Sequence, residues 1–330
     1  MFSVLPQDLE MVELYRDFLP QKIIDAHVHL HEKHAIPESF DPNGAFRREV
    51  GTAETYLADV STFLPGVKAF GIHAFPMPDF AMNQRESGLR ESANAHVSKQ
   101  ASTHSNVAGS VYVMQVDTKA DIQAMLELPG IRGIKCYWFS SGNRKGEECS
   151  VSDYLPEAAW EIANIRRLPI VLHMMHPHAL SDERNLSYIL SMTKKYPNAQ
   201  LILAHCARAF APWTVVKSIG SLTERENVWF DTAAICESSP MMACLLHHGG
   251  MRLLWGTDYP ICMNRGKVIS LGTGFHWLVG SATPQGARPS TVLAENLLAF
   301  YQTALILNLD QTQIDRVFYG NAAELLKMDI

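Results

Sequence analysis

Eight short apolar runs punctuate the chain, at residues 23–30, 67–75, 107–114, 131–139, 169–174, 199–206, 228–232 and 252–259. Each is rich in Val, Ile and aromatic residues and almost continuously hydrophobic, as parallel strands covered on both faces are. Longer stretches of helical character lie between them, at 52–64, 83–100, 118–128, 152–167, 181–196, 211–226 and 239–248. The first opens on TAET, a capping-box-like start, and stops before Pro65-Gly66; the third stops before Pro129-Gly130. An alternation of strand and helix repeated eight times predicts an α/β fold, the closed (β/α)8 TIM barrel. A doubly wound open sheet competes with it, but normally places a Gly-rich phosphate loop after its first strand, where this chain has histidines. Segments 291–308 and 311–328 predict C-terminal helices, and the amphipathic start predicts an extra N-terminal one. No linker or low-complexity stretch divides the chain, so residues 1–330 are expected to form one domain.

Three connections exceed what a barrel needs: 31–51, 140–150 and 261–290. Each follows a strand, and so falls on the C-terminal face where barrel active sites are built. Long loops there are candidates for lids and specificity elements.

Composition narrows the partners. With 47% hydrophobic and 19% charged residues over 330 positions, the chain can bury a substantial core. A net charge of −6 without a long basic run argues against nucleic acid as a partner. No apolar run approaches a membrane span, and the start, MFSVLPQDLEMVELYRDFLP, lacks the parts of a secretory signal. The expectation is a cytoplasmic protein acting on a small molecule. Barrels of this sort often form homo-oligomers, although no sequence feature sets a symmetry. The six cysteines form no CxxC pair, which favours reduced, buried thiols over a zinc finger or disulfide framework.

The candidate chemistry sits where strands end. Strand one reads IIDAHVHL. Strict alternation puts Asp25, His27 and His29 on one face and Ile24, Ala26, Val28 and Leu30 on the other, toward the helices. Two imidazoles roughly 6–7 Å apart at Cα, inside a barrel mouth, can hold one metal ion. His173 ends strand five (PIVLHM), His205 ends strand six (LILAHC) and Asp258 ends strand eight (LLWGTDYP). A carboxylate there is costly unless paired, protonated or metal-bound. Lys135, in IRGIKCYWF, is expected to point inward, where it could contact substrate, pair with Asp258, bridge two metals as a carbamate, or serve as a salt-bridged structural lysine. Arg208, Arg265, Lys267, Arg144 and Lys145 are candidates for holding a substrate carboxylate, and Arg208 is preferred. Tyr137, Trp138 and Trp277 are candidates for lining an aromatic pocket or packing in the core.

Taken in order, DAHVHL at 25–30, GIK at 133–135, LHMMH at 172–176, LAHCARAF at 203–210, GTDYP at 256–260 and FYGNAAELL at 318–326 resemble the amidohydrolase superfamily, in its second branch of barrel hydrolases and decarboxylases. The resemblance implies one divalent metal, zinc first and manganese second, on His27, His29, His173 and Asp258. It gives Asp258 a second task as proton shuttle. It gives His205 the polarisation of substrate, or a second ion in two-metal members. Substrate contacts are expected from Arg208, Lys135, Tyr137 and Arg265. CYWFSSGN after GIK departs from the His-Pro that often follows, which leaves the substrate open. The expected activity is hydrolysis of an amide, lactone or related carbonyl compound through a metal-activated water. The alternatives are a non-oxidative decarboxylase or hydratase of a small unsaturated or aromatic carboxylic acid, and a non-catalytic barrel that binds metal or metabolite.

Overall fold

A computed structural model describes residues 2–32, 50–77, 88–141, 146–248 and 252–330. Eight parallel strands follow one another in sequence order: β1 (Lys22–Leu30), β2 (Ala69–Pro76), β3 (Val107–Tyr112), β4 (Ile131–Cys136), β5 (Pro169–Leu172), β6 (Gln200–Leu203), β7 (Val228–Asp231) and β8 (Leu253–Leu254). The ring closes between the last strand's continuation and β1. Ala26 N–H donates to Trp255 O at 2.9 Å, Asp258 N–H to His27 O at 2.9 Å, and His29 N–H to Tyr259 O at 2.8 Å. The expected (β/α)8 barrel is the observed architecture.

Helices fall between the strands much as the pattern predicts. The TAET start caps the helix Ala53–Val60, with Thr52 Oγ1 accepting from Thr55 N–H and Thr55 Oγ1 from Thr52 N–H. A helix at Pro6–Tyr15 precedes the barrel, and Val292–Leu307 and Asn321–Leu326 follow it. The last of these seals the barrel floor: Leu325, Leu326 and Met328 pack with the inward residues Ile24, Ala26, Ala108, Val171, Ile202 and Leu254. No helix among the described residues is long and apolar enough to cross a membrane.

Strand β1 departs from strict alternation. Its pairing with β2 shifts register between Asp25 and Val28. Such a bulge reverses the phase of the side chains beyond it. Ile24 and Ala26 therefore join the inner cluster, against the expectation that they face the helices, while Val28 and Leu30 join the outer core. Asp25 does not share the surroundings of His27 and His29. Its oxygens accept from Tyr56 Oη at 2.8 Å, Thr257 Oγ1 at 2.6 Å and the backbone N–H groups of His27 and Thr257. Asp25 thus ties β1 to the strand-eight end.

The long 261–290 connection contains a β-hairpin, β9 (Gly266–Leu271) and β10 (Gly274–Val279), paired antiparallel. Gly266 has φ of +143°, and a Cβ there would meet Leu278 O at 2.0 Å, so only glycine lets the hairpin begin. Arg144, Lys145 and most of 31–51 lie outside the described residues.

Candidate metal centre

His27, His29 and Asp258 meet at the barrel mouth, with one ligand-type atom from each lying within 4.8 Å of the others. Asp258 Oδ1 is 3.4 Å from both His27 Nε2 and His29 Nε2. The opposite ring nitrogens are already engaged. His27 Nδ1–H donates to Asp231 Oδ2 at 2.8 Å, and His29 Nδ1–H donates to Pro76 O at 2.9 Å. Those acceptors fix the tautomers, because a carbonyl or carboxylate demands the proton on Nδ1 and leaves the Nε2 lone pair facing Asp258. Burial holds both imidazoles below their ordinary pKa and so favours the neutral, ligating form.

Two neutral imidazole nitrogens, each oriented by a further partner, and a buried carboxylate fit a divalent ion. Gly256 makes the approach possible, since a Cβ there would lie 2.9 Å from His27 Cβ.

His173 and His205 stand beside this trio as a pair. His205 Nδ1–H donates to Ala233 O at 2.8 Å, leaving Nε2 to accept from His173 Nδ1–H at 2.9 Å. The His173 Nε2 lone pair remains, and His173 lies next to the three-residue cluster rather than within it. The His205 ring is 5.0 Å from that of His27, and Tyr137 lies 4.4 Å from His173. Lys135 is fully buried, with Nζ 3.5 Å from His27 Nε2 and 4.4 Å from the Phe75 ring centre. Burial lowers its pKa to about 8, while Asp231 and Asp258 resist the shift.

The turn carrying His205 is unusual. His205, Cys206, Ala207 and Arg208 have φ between +48° and +64°, four successive residues in left-handed conformation. Each costs roughly 1 kcal/mol or more. Strain of that size persists only where surrounding contacts enforce it, and such places are often functional sites. Arg208 emerges from this turn 9% exposed, and among the described residues its Nε has no hydrogen-bond partner. Among those residues Nη2 reaches only Met175 Sδ, at 3.9 Å.

Arg265 is engaged with the N-terminal segment. It forms a two-pronged pair with buried Asp8, 2.8 Å on each arm, and also donates to Ser3 O. Its guanidinium pins the N-terminal helix, and both terminal nitrogens are engaged there. Lys267 pairs with Glu295 at 3.0 Å. The sequence reading passed over Asp231, which accepts from His27 and from the backbone N–H groups of His205 and Ala233. The signal was available: Asp231 ends the apolar run VWF as Asp258 ends its own. It also missed Phe75, whose ring touches those of His27 and His29 at 4.7 and 4.9 Å.

A closed barrel with a histidine–carboxylate cluster at its C-terminal mouth defines a class of (β/α)8 proteins with a candidate metal centre. Within that class the chain belongs to the amidohydrolase family: the family model described as Amidohydrolase, of the Amidohydro_2 type, matches residues 24–328. No curated protein matches it. Among solved structures, a dihydroxybenzoic acid decarboxylase from Polaromonas, with bound manganese and 2-nitroresorcinol, aligns with a TM-score of 0.60 at 13% identity over 93% of this chain and 97% of that one. A putative 2-pyrone-4,6-dicarboxylic acid hydrolase from Pseudomonas putida aligns at 0.57 and 14%, covering 94% and 100%. A zinc-bound amidohydrolase from Burkholderia multivorans aligns at 0.60 and 13%, covering 93% and 99%. Identities this low establish a shared fold.

Proposed function

We propose that this chain is a metal-dependent enzyme that hydrolyses a small amide or lactone carrying a carboxylate. The observation that carries the reading is Arg208. A buried guanidinium is costly without a close counter-charge; Glu147 acts on Arg208 only from a distance, and no ion pair to it exists among the described residues. A substrate carboxylate would supply the missing partner through a bidentate fork.

His27, His29 and Asp258 would hold the ion, with His173 joining through its free Nε2. A divalent ion there, zinc or manganese, supplies Lewis acidity toward a carbonyl or water. Asp258 accepts the proton of the attacking water and returns it to the departing nitrogen or oxygen. His205 would steady charge growing on the carbonyl oxygen as the imidazolium, with Nε2–H turned to that oxygen and the contact with His173 Nδ1 given up. Tyr137 and Lys135 line the same mouth and contact substrate.

A second reading, decarboxylation, draws support from the 2,6-dihydroxybenzoate and 5-carboxyvanillate decarboxylases that recur among the structural matches. It uses the same cation for the carboxylate, with the proton delivered to carbon. Turnover of a panel of carboxylated lactones, amides and aromatic acids in H2¹⁸O separates the two. One ¹⁸O retained in the product without CO₂ supports hydrolysis. CO₂ release without ring or amide opening overturns it in favour of the lyase.

A further inference from the structure

The hairpin of β9 and β10 packs on the strained turn from the solvent side. Phe275 and Trp277, which share one face of β10, lie 5.0 and 5.6 Å from Phe210. Phe210 in turn stacks 5.2 Å from His205. The Arg208 guanidinium carbon sits 5.1 Å from the centre of the Phe275 ring.

The hairpin is held in place from outside the site. Ser270 donates through both N–H and Oγ to Glu237, at 2.7 and 3.0 Å. Trp213 Nε1–H donates to Thr273 O at 2.9 Å, and Lys267 pairs with Glu295. A ring presented by so anchored an element has a fixed position. A guanidinium against such a ring loses freedom in its tilt and keeps its N–H groups for an in-plane acceptor.

We infer that Phe275 is the positioning residue for Arg208, and that the β9–β10 hairpin thereby sets recognition of the substrate carboxylate. The inference rests on the assignment of Arg208 to that carboxylate. It goes further in giving the direction of the guanidinium to an element outside the barrel. Leucine at 275 fills much of the same volume but offers no π face, so the cation loses its partner while the hairpin keeps its core. Tyrosine restores the face.

The test measures benzoate binding to the metal-loaded full-length protein by calorimetry, with benzamide as the neutral control. Phe275→Leu is expected to weaken benzoate by up to about tenfold, the cost of ordering on binding a guanidinium that the ring no longer holds. Phe275→Tyr is expected to stay within threefold of the parent, and benzamide binding to be unchanged in both. Equal benzoate affinity in Phe275→Leu and the parent overturns the inference. So does a parallel loss of benzamide, which would mark a general collapse of the wall. Arg208→Met examines the underlying reading separately: undiminished benzoate binding in that variant removes Arg208 from carboxylate recognition altogether. A parent protein that binds no benzoate at millimolar concentration overturns both.

Discussion

Asp231→Asn is a nearly isosteric change whose outcome follows from where each oxygen points. Oδ1 accepts from the backbone N–H groups of His205 and Ala233, at 2.8 and 3.1 Å. In the variant the amide oxygen must stay there, because an NH₂ group would face two donors. The amide nitrogen is then forced onto the His27 side, 2.8 Å from Nδ1. Two donors cannot share that contact, so His27 moves its proton to Nε2, the nitrogen that faces Asp258. The imidazole is then in the wrong tautomer to ligate. Loss of an orienting carboxylate typically costs 10–100-fold in metal affinity, about 1.4–2.7 kcal/mol. The measurement is zinc titration of metal-stripped protein in competition with a chromophoric chelator, with a thermal melt to establish folding. Asp231→Ala leaves the His205 N–H without its acceptor as well and should lower stability in addition. A folded Asp231→Asn protein within twofold of the parent's zinc affinity would refute the tautomer argument.

Two other predictions follow from the same geometry. Arg265→Met leaves the Asp8 carboxylate buried with only Ser290 Oγ and Leu5 N–H as donors, and is expected to cost about 2 kcal/mol, allowing for the partial exposure of Arg265. Asp8 is held below its ordinary 3.8: burial opposes this, and the Arg265 hydrogen bonds outweigh it. Its stabilisation is therefore complete above the unfolded pKa and lost as pH falls through the folded one. Urea melts should show a constant gap between parent and variant near neutrality that closes below about pH 4; a gap that widens in acid would refute the pairing. Gly256→Ala drives a methyl group against His27 and is expected to cost about 1–3 kcal/mol and to weaken zinc binding; unchanged melting and unchanged affinity would show that β1 yields more easily than the packing implies.

The barrel was legible because parallel strands buried on both faces must be written as apolar runs, and each ligand-type residue at their ends stands out as a polar group in an expensive place. His27, His29 and Asp258 announce themselves in this way, and the fold brings them together. The bulge in β1 leaves no such mark. One extra residue changes which side chains face inward without changing composition, so Asp25 reads as a neighbour of the histidines when it binds Tyr56 and Thr257. Arg265 was illegible for a different reason: its partner, Asp8, lies 257 positions away. The hairpin at 266–279 did carry a signal, a Gly-Thr turn between two apolar stretches, but the length of the connection drew the reading toward a loop.

Arg208 shows why these differences matter for function. Its residue type and its place three residues beyond a strand-end histidine suggested a carboxylate contact, yet neither says how the guanidinium is aimed. The aim comes from a left-handed turn and an aromatic ring 67 residues further along the chain. Residues that bear charge or donate lone pairs are visible one at a time, because each violates the local pattern. Those that orient them obey the pattern, as Phe75 and Phe275 do, and acquire their role only through tertiary contact. Substrate discrimination within this barrel family should therefore vary through such orienting contacts on the loops more readily than through the ligands themselves.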